Sequence, residues 1–409
     1  MTGENGPPLC HPERAERVEG SALLALKKLL PVHPLHPRHL LKPSVLDASI
    51  NATARTPYPY TYMRPLLSAL ALLLPSALSA QQVERIVLEG RDVAVYNLAG
   101  TLRVEGGSGD RVVVEVTRQG RDGGRLTLER GEVRGRPTLR VRYPSDRIRY
   151  SSTDWNGRAT LTVHGDGTFD YGRGWRTEGS RVEIDSDGDG MDAHADLRVL
   201  VPRGATVALY HGVGATTVDN VDGKLSIESG AARVRALRVR GSLRLESRSG
   251  GVDVSDITGD LSVESGSGGT SVNGVRGGAV RLEIGSGGLK GGTFDVTELV
   301  AEVGSGGARL SGVKANRLHV EAGSGGSDLE LLSNARDVGI EAGSGGVTLR
   351  LPSSTSAEVD IETQSGSIQS DFDVTAARLD RRELHGRIGS GGGKIRIESG
   401  SGTVRLLKS

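Results

Sequence analysis

Leu261-Ser262-Val263-Glu264-Ser265-Gly266-Ser267-Gly268-Gly269 is one copy of a phrase that returns along the second half of the chain: apolar, any, apolar, Glu, any, Gly or Ser, then Ser-Gly-Gly. Leu243-Arg244-Leu245-Glu246 runs before Ser249-Gly250-Gly251, and Val280-Arg281-Leu282-Glu283 before Ser286-Gly287-Gly288. Further copies span Leu299 to Gly307, Leu318 to Gly326 and Val338 to Gly346, and Val359-Asp360-Ile361-Glu362 opens a looser one. Successive glutamates at 228, 246, 264, 283, 302, 321, 341 and 362 are 18 to 21 residues apart. A near-constant period of this size marks a repeat architecture.

Apolar and polar residues alternate within each copy, the period of a half-buried strand. A second short strand follows the glycines, as in Val252-Asp253-Val254 and Val347-Thr348-Leu349. A unit this short cannot bury its own apolar face, so the copies must stack on one another. The predicted fold is all-β: a parallel β-solenoid with rungs of about 18–21 residues and glycine-rich corners. Leu243, Leu261, Val280, Leu299, Leu318, Val338 and Val359 should form one interior column, and Leu245, Val263, Leu282, Ala301, Val320, Ile340 and Ile361 the next. The Ser-Gly-Gly glycines are expected to supply positive φ and to leave room for the rung above.

The chain has 409 residues, a formal net charge of +1 and one cysteine, Cys10. Near-neutral charge argues against a generic nucleic-acid or membrane-surface role, and a single cysteine excludes an internal disulfide. Met63-Arg64-Pro65, the apolar run Leu66 to Leu74 and the small residues up to Ala80 have the layout of a secretory signal, with a mature start near Gln81. Residues 1–62 come before it and carry His11, His33, His36 and His39 without strand patterning. They read as a disordered extension, either translated non-coding sequence upstream of a true start at Met63 or the tail of a signal anchor. The expected organisation is therefore 1–62 extension, 63–80 signal, 81–200 N-terminal rungs with an insertion, and 201–409 the main stack.

The insertion, 143–176, holds both tryptophans of the chain among many arginines. Tyr150, Trp155, Tyr171 and Trp175 could stack on sugar rings as a ligand site, or could fold over the first rungs as a cap. Next comes Asp185-Ser186-Asp187-Gly188-Asp189-Gly190 with Asp196 beyond, which matches the start of a calcium loop. Its flanks read as strands rather than helices, so Asp185, Asp187, Asp189 and Asp196 are either calcium ligands or a metal-free acidic turn.

Val201-Pro202-Arg203-Gly204-Ala205, the recurrent Glu-x-Gly-Ser-Gly-Gly, Ser365-Gly366-Ser367-Ile368 and the closing Leu384-His385-Gly386-Arg387-Ile388-Gly389-Ser390-Gly391-Gly392 resemble the bacterial putative adhesin family, from about Leu197 to Leu407. The resemblance implies an exported repeat-rich β protein and supplies no catalytic residues. It points to a non-enzymatic cell-envelope or surface protein, an adhesin or binding scaffold, located in the periplasm, at the surface or outside the cell. The rival is a polysaccharide-binding or polysaccharide-cleaving β-helix. The expected partner is a surface glycan or protein, with no nucleic acid and no membrane span in the mature chain, and no cofactor is implied beyond calcium at the acidic turn. The glutamate column, at ~4.8 Å spacing, costs roughly 0.9 kcal/mol per neighbouring pair in water and is expected on a wet face, as a solubilising surface or a cation-recruiting one.

Overall fold

A computed structural model describes residues 82–170 and 178–409. The expected extension and signal, as well as Tyr171 and Trp175, lie outside the described residues. Apart from one short 3-10 turn at Gly123–Arg125, every regular element among the described residues is a strand. The expected parallel solenoid is what forms. Thr216–Ala231, Val234–Ser247, Val252–Ser265, Thr270–Ile284, Leu289–Val303 and Ala308–Ala322 pair in parallel, each on the next. Leu243, Leu261, Val280, Leu299 and Leu318 are aligned, as are Leu245, Val263, Leu282, Ala301 and Val320, and both columns are buried.

Each of these long strands is bent, and the corners differ in mechanism. Asn220, Arg238, Asp256, Gly274, Thr293 and Gly312 occupy equivalent places in successive rungs, and all have φ between 53° and 68°. The left-handed turn is so firmly imposed by the pairing on either side that Arg238 and even β-branched Thr293 are held in it. The Ser-Gly-Gly corner works otherwise, and here the expectation of positive φ is corrected. Gly250, Gly268, Gly287 and Gly306 do not adopt it. A Cβ on them would instead lie 1.5, 1.9, 2.0 and 2.1 Å from a carbonyl oxygen one rung back. These glycines exist because backbone stacks directly on backbone.

The order of rungs departs from chain order at both ends. Val338 and Ile340 follow the two apolar columns as expected. The next rung, however, is not the one containing Val359 and Ile361 but the last segment of the chain. Gly393–Ser399 pairs with Asp337–Ala342 on one side and with Ala357–Thr363 on the other. Val404–Lys408 likewise lies between Val347–Leu351 and Ile368–Ser370. Every rung offers the same apolar pair, so pattern alone cannot tell adjacency in space from adjacency in sequence. The hairpin of Val374–Leu379 and Glu383–Ile388 then pairs antiparallel on the outer side of Ala357–Thr363, occupying its second backbone edge.

Interleaving recurs at the start. Leu102–Gly107 is slotted between His194–Pro202 and Thr216–Ala231, and Asp92–Ala99 pairs with Ala205–Val213. Val112–Gln119 runs antiparallel to both Val83–Leu88 and His194–Pro202. Between these segments the insertion, together with Ser180–Asp185 and Met191–Asp192 that follow it, forms a separate five-stranded sheet. Ile148, Leu161, Val182 and Ile184 of this sheet share a second core with Ala94, Tyr96 and Ala208 of the first rungs. No helix among the described residues is long and apolar enough to cross a membrane.

Candidate functional site

The outward position that follows the two apolar columns is glutamate in rung after rung. In spatial order the column reads Glu228, Glu246, Glu264, Glu283, Glu302, Glu321, Glu341, Glu398, Glu362 and Glu383, each the Cα partner of the one before. The threaded last rung is what keeps the series unbroken, because it places Glu398 between Glu341 and Glu362. Toward the N-terminal end the same register continues through Tyr210 and Tyr96, whose rings are stacked 4.1 Å apart and 4° from parallel. Phe169 of the insertion meets Tyr96 edge-on at 5.5 Å. Burial pushes the Tyr96 phenol up, so it stays neutral.

Two open grooves follow this column. One, of about 960 Å³, runs along Glu228 to Glu321 and has Asp170 at its margin. The other, of about 690 Å³, is bordered by Glu321, Glu341, Glu398, Glu362 and Glu383 with Arg382. The two differ in charge compensation. Arg244 bonds Glu246 at 2.6 Å, and Arg281 bonds both Glu283 and, at 2.9 Å, Glu302. Both arginines sit two residues before a glutamate on the same strand face, and hydrogen bonding to Glu246 and Glu283 raises their pKa values. Among the described residues, no salt bridge involves Glu321, Glu341 or Glu398, and all three are exposed. The column is thus partly neutralised in its first half and openly anionic at Glu321, Glu341 and Glu398, while its last member, Glu383, pairs with Arg378 at 2.7 Å.

The profile of the Toastrack DUF4097 family matches residues 199–407. This chain belongs to the Toastrack DUF4097 family. That match lies within the span, about Leu197 to Leu407, that carries the adhesin resemblance, and it identifies an uncharacterised domain family. No curated protein matches the chain. Among solved structures, one titled a "putative cell adhesion protein" from Clostridium sporogenes is 9% identical, over 80% of this chain and 100% of that one, with a TM-score of 0.16. At that score it bears on neither fold nor function. The Toastrack region contains the column from Tyr210 to Glu383, whereas the aromatic insertion lies outside it.

Of the insertion's expected ligand face, Tyr150 and Trp155 are described, and both are packed inside. Tyr150 and Trp155 are 3% and 8% exposed and stack on each other at 5.7 Å, 19° from parallel. They share a core with Ala94, Tyr96, Leu98, Ala99, Ala208 and Val213 of the first rungs, which is the covering role. The four expected calcium ligands are not brought together. Asp185 accepts from the Asp187 N–H at 3.0 Å and pairs with Arg158 at 2.6 Å, contacts that hold its carboxyl below the usual carboxylate range. Asp196 instead accepts from Thr101 N–H and O–H, both at 2.8 Å. Asp187 and Asp189 are exposed, and the four do not gather into a ligand cluster. The reason is topological: Ser180–Asp185 belongs to the small sheet and His194–Pro202 to the large one, so the chain carries Asp196 away from the turn.

What sequence reasoning missed is a convergence near the far end of the column. Asp360, Glu362 and His385 bring one ligand-type atom each within 4.8 Å of the others, the one such grouping found among the described residues. Asp360 and Glu362 were visible as part of a looser repeat. His385 was not placeable, since only the antiparallel return of Glu383–Ile388 sets it opposite Asp360.

Proposed function

We propose that this chain is an exported, non-enzymatic binding scaffold of the cell envelope or cell surface, and that its ligand-facing surface is the carboxylate column. The observation that carries this is the unbroken Cα register from Glu228 to Glu383, with two grooves lying along it. Carboxylates repeated at ~4.8 Å set up an extended negative field that no single pair would produce, and such a field steers and orients an elongated cationic partner. The partner is a surface polymer carrying regularly spaced amines, either a basic protein segment or an amino-sugar glycan. Groove walls made of repeat strands and glycine corners favour recognition of a long ligand over cleavage, which needs a few acids placed individually around one bond.

The test is fluorescence anisotropy with a labelled oligolysine peptide and, in parallel, a labelled chitosan oligomer, using the full chain at low and high salt. Binding should weaken as salt rises. Combining Glu321→Gln, Glu341→Gln and Glu398→Gln should weaken it at least about tenfold, with the strand-rich circular dichroism spectrum unchanged. Equal affinity of this variant and the parent for both probes would reject the column as the binding face.

A further inference from the structure

His385 lies opposite Asp360 on antiparallel strands, and Glu362 is two residues from Asp360 on the same outward face. Nδ1 of His385 is 2.7 Å from Oδ1 of Asp360, and Nε2 is 3.9 Å from Oε1 of Glu362. Arg396 reaches the other Asp360 oxygen, Oδ2, at 3.8 Å and leaves Oδ1 to the imidazole. All three side chains are partly or largely solvent-accessible, so an ion could enter without opening the fold.

We propose that Asp360, Glu362 and His385 form a binding site for a divalent cation of the zinc class. The donor set decides the class. One imidazole nitrogen with two carboxylates suits zinc and its transition-metal neighbours, whereas calcium and magnesium take all-oxygen shells. Zinc bonds of about 2.0–2.2 Å place tetrahedral ligand atoms roughly 3.3 Å apart. One imidazole nitrogen and one oxygen of each carboxylate already lie within 4.8 Å of one another, and rotation of the exposed side chains closes the remainder. The fourth position faces solvent and takes water. Glu398 flanks Glu362 on one side and adds negative charge near the ion, whereas Glu383 on the other side is paired with Arg378 at 2.7 Å. The bound cation ties Ala357–Thr363 to Glu383–Ile388, the outer hairpin strand, and so fastens the end of the stack.

This site does not depend on the column binding a polymer, and the two fail separately. If the three groups serve only as a hydrogen-bonded pair of His385 with Asp360, the chain takes up no metal there. The experiment is isothermal titration calorimetry of metal-free full chain with Zn²⁺ near neutral pH, comparing the parent with His385→Gln and with Glu362→Gln. Histidines His11, His33, His36 and His39 contribute the same background to every variant. The parent should bind about one more equivalent than either variant, or bind it at least about tenfold tighter. Zinc should also raise the melting temperature of the parent and not of the variants. Because the side chains are exposed, the metal-free melting temperatures should coincide, and oligolysine binding should survive His385→Gln. Identical zinc isotherms for parent and variants, or no saturable binding by the parent, would overturn the site.

Discussion

Gly268→Ala is expected to lower stability by about 3 kcal/mol or more, while Gly269→Ala, one residue on, is expected to be neutral or to add up to about 1 kcal/mol. The two glycines stand in the same corner and look equivalent in sequence. A Cβ on Gly268 would sit 1.9 Å from the Gly250 oxygen and 2.5 Å from its carbonyl carbon, both backbone atoms held by pairing on either side. Neither rung can give way without losing ladder hydrogen bonds, so the clash has no inexpensive relaxation. On Gly269 the same methyl would meet nothing within 4 Å, and the residue has no positive φ. There the substitution only restricts the unfolded chain. Urea melts of both variants check this, and equal destabilisation would mean that corner glycines are chosen for conformation and not for close approach.

Acid should weaken the fold through His211. Its ring is fully buried where the early rungs interleave, with Nε2–H donating to the Gly100 carbonyl at 3.0 Å and Nδ1 accepting from the Thr216 hydroxyl at 2.8 Å. Burial lowers its pKa from the ordinary 6.5 to about 4. The folded state therefore resists protonation that the unfolded chain accepts. The contribution is complete above about pH 6.5, shrinks as pH falls through the interval down to about 4, and amounts to on the order of 3 kcal/mol across it. His211→Asn should lower stability at pH 7 and flatten the pH dependence in this window relative to the parent. Parallel stability-against-pH curves for the two proteins would show that His211 does not titrate as described.

How much of this was written in the sequence depends on what each residue's role requires. Leu282 and Glu283 disclosed their sides because a strand alternates, and the interior columns follow from that period alone. The left-handed bend did not show, since Arg238 and Thr293 hold it in the company of Gly274 and Gly312. Rung order did not show either, because Ile395-Arg396-Ile397-Glu398 satisfies any slot in the stack equally well. Tyr150 and Trp155 were read correctly as a concentration of stacking surface, yet an aromatic ring's chemistry is the same whether it faces a sugar or a core. The acidic turn at Asp185 matched a ligand spacing while its neighbouring strands went to different sheets, which no spacing encodes.

The order of the carboxylate column rests on one structural claim, that Glu398 stands between Glu341 and Glu362. Paired cysteines test it directly in a Cys10→Ser background, since Cys10 is the only native cysteine. Neighbouring strands at ~4.8 Å are within disulfide range, whereas residues two strands apart are roughly 9.6 Å away and out of it. On mild oxidation the Glu341→Cys, Glu398→Cys pair should form an intramolecular disulfide, detected by mass spectrometry of the folded protein. The Glu341→Cys, Glu362→Cys pair should remain reduced. A disulfide in the second pair and none in the first would mean that the rungs stack in chain order and that Glu362, not Glu398, is the neighbour of Glu341.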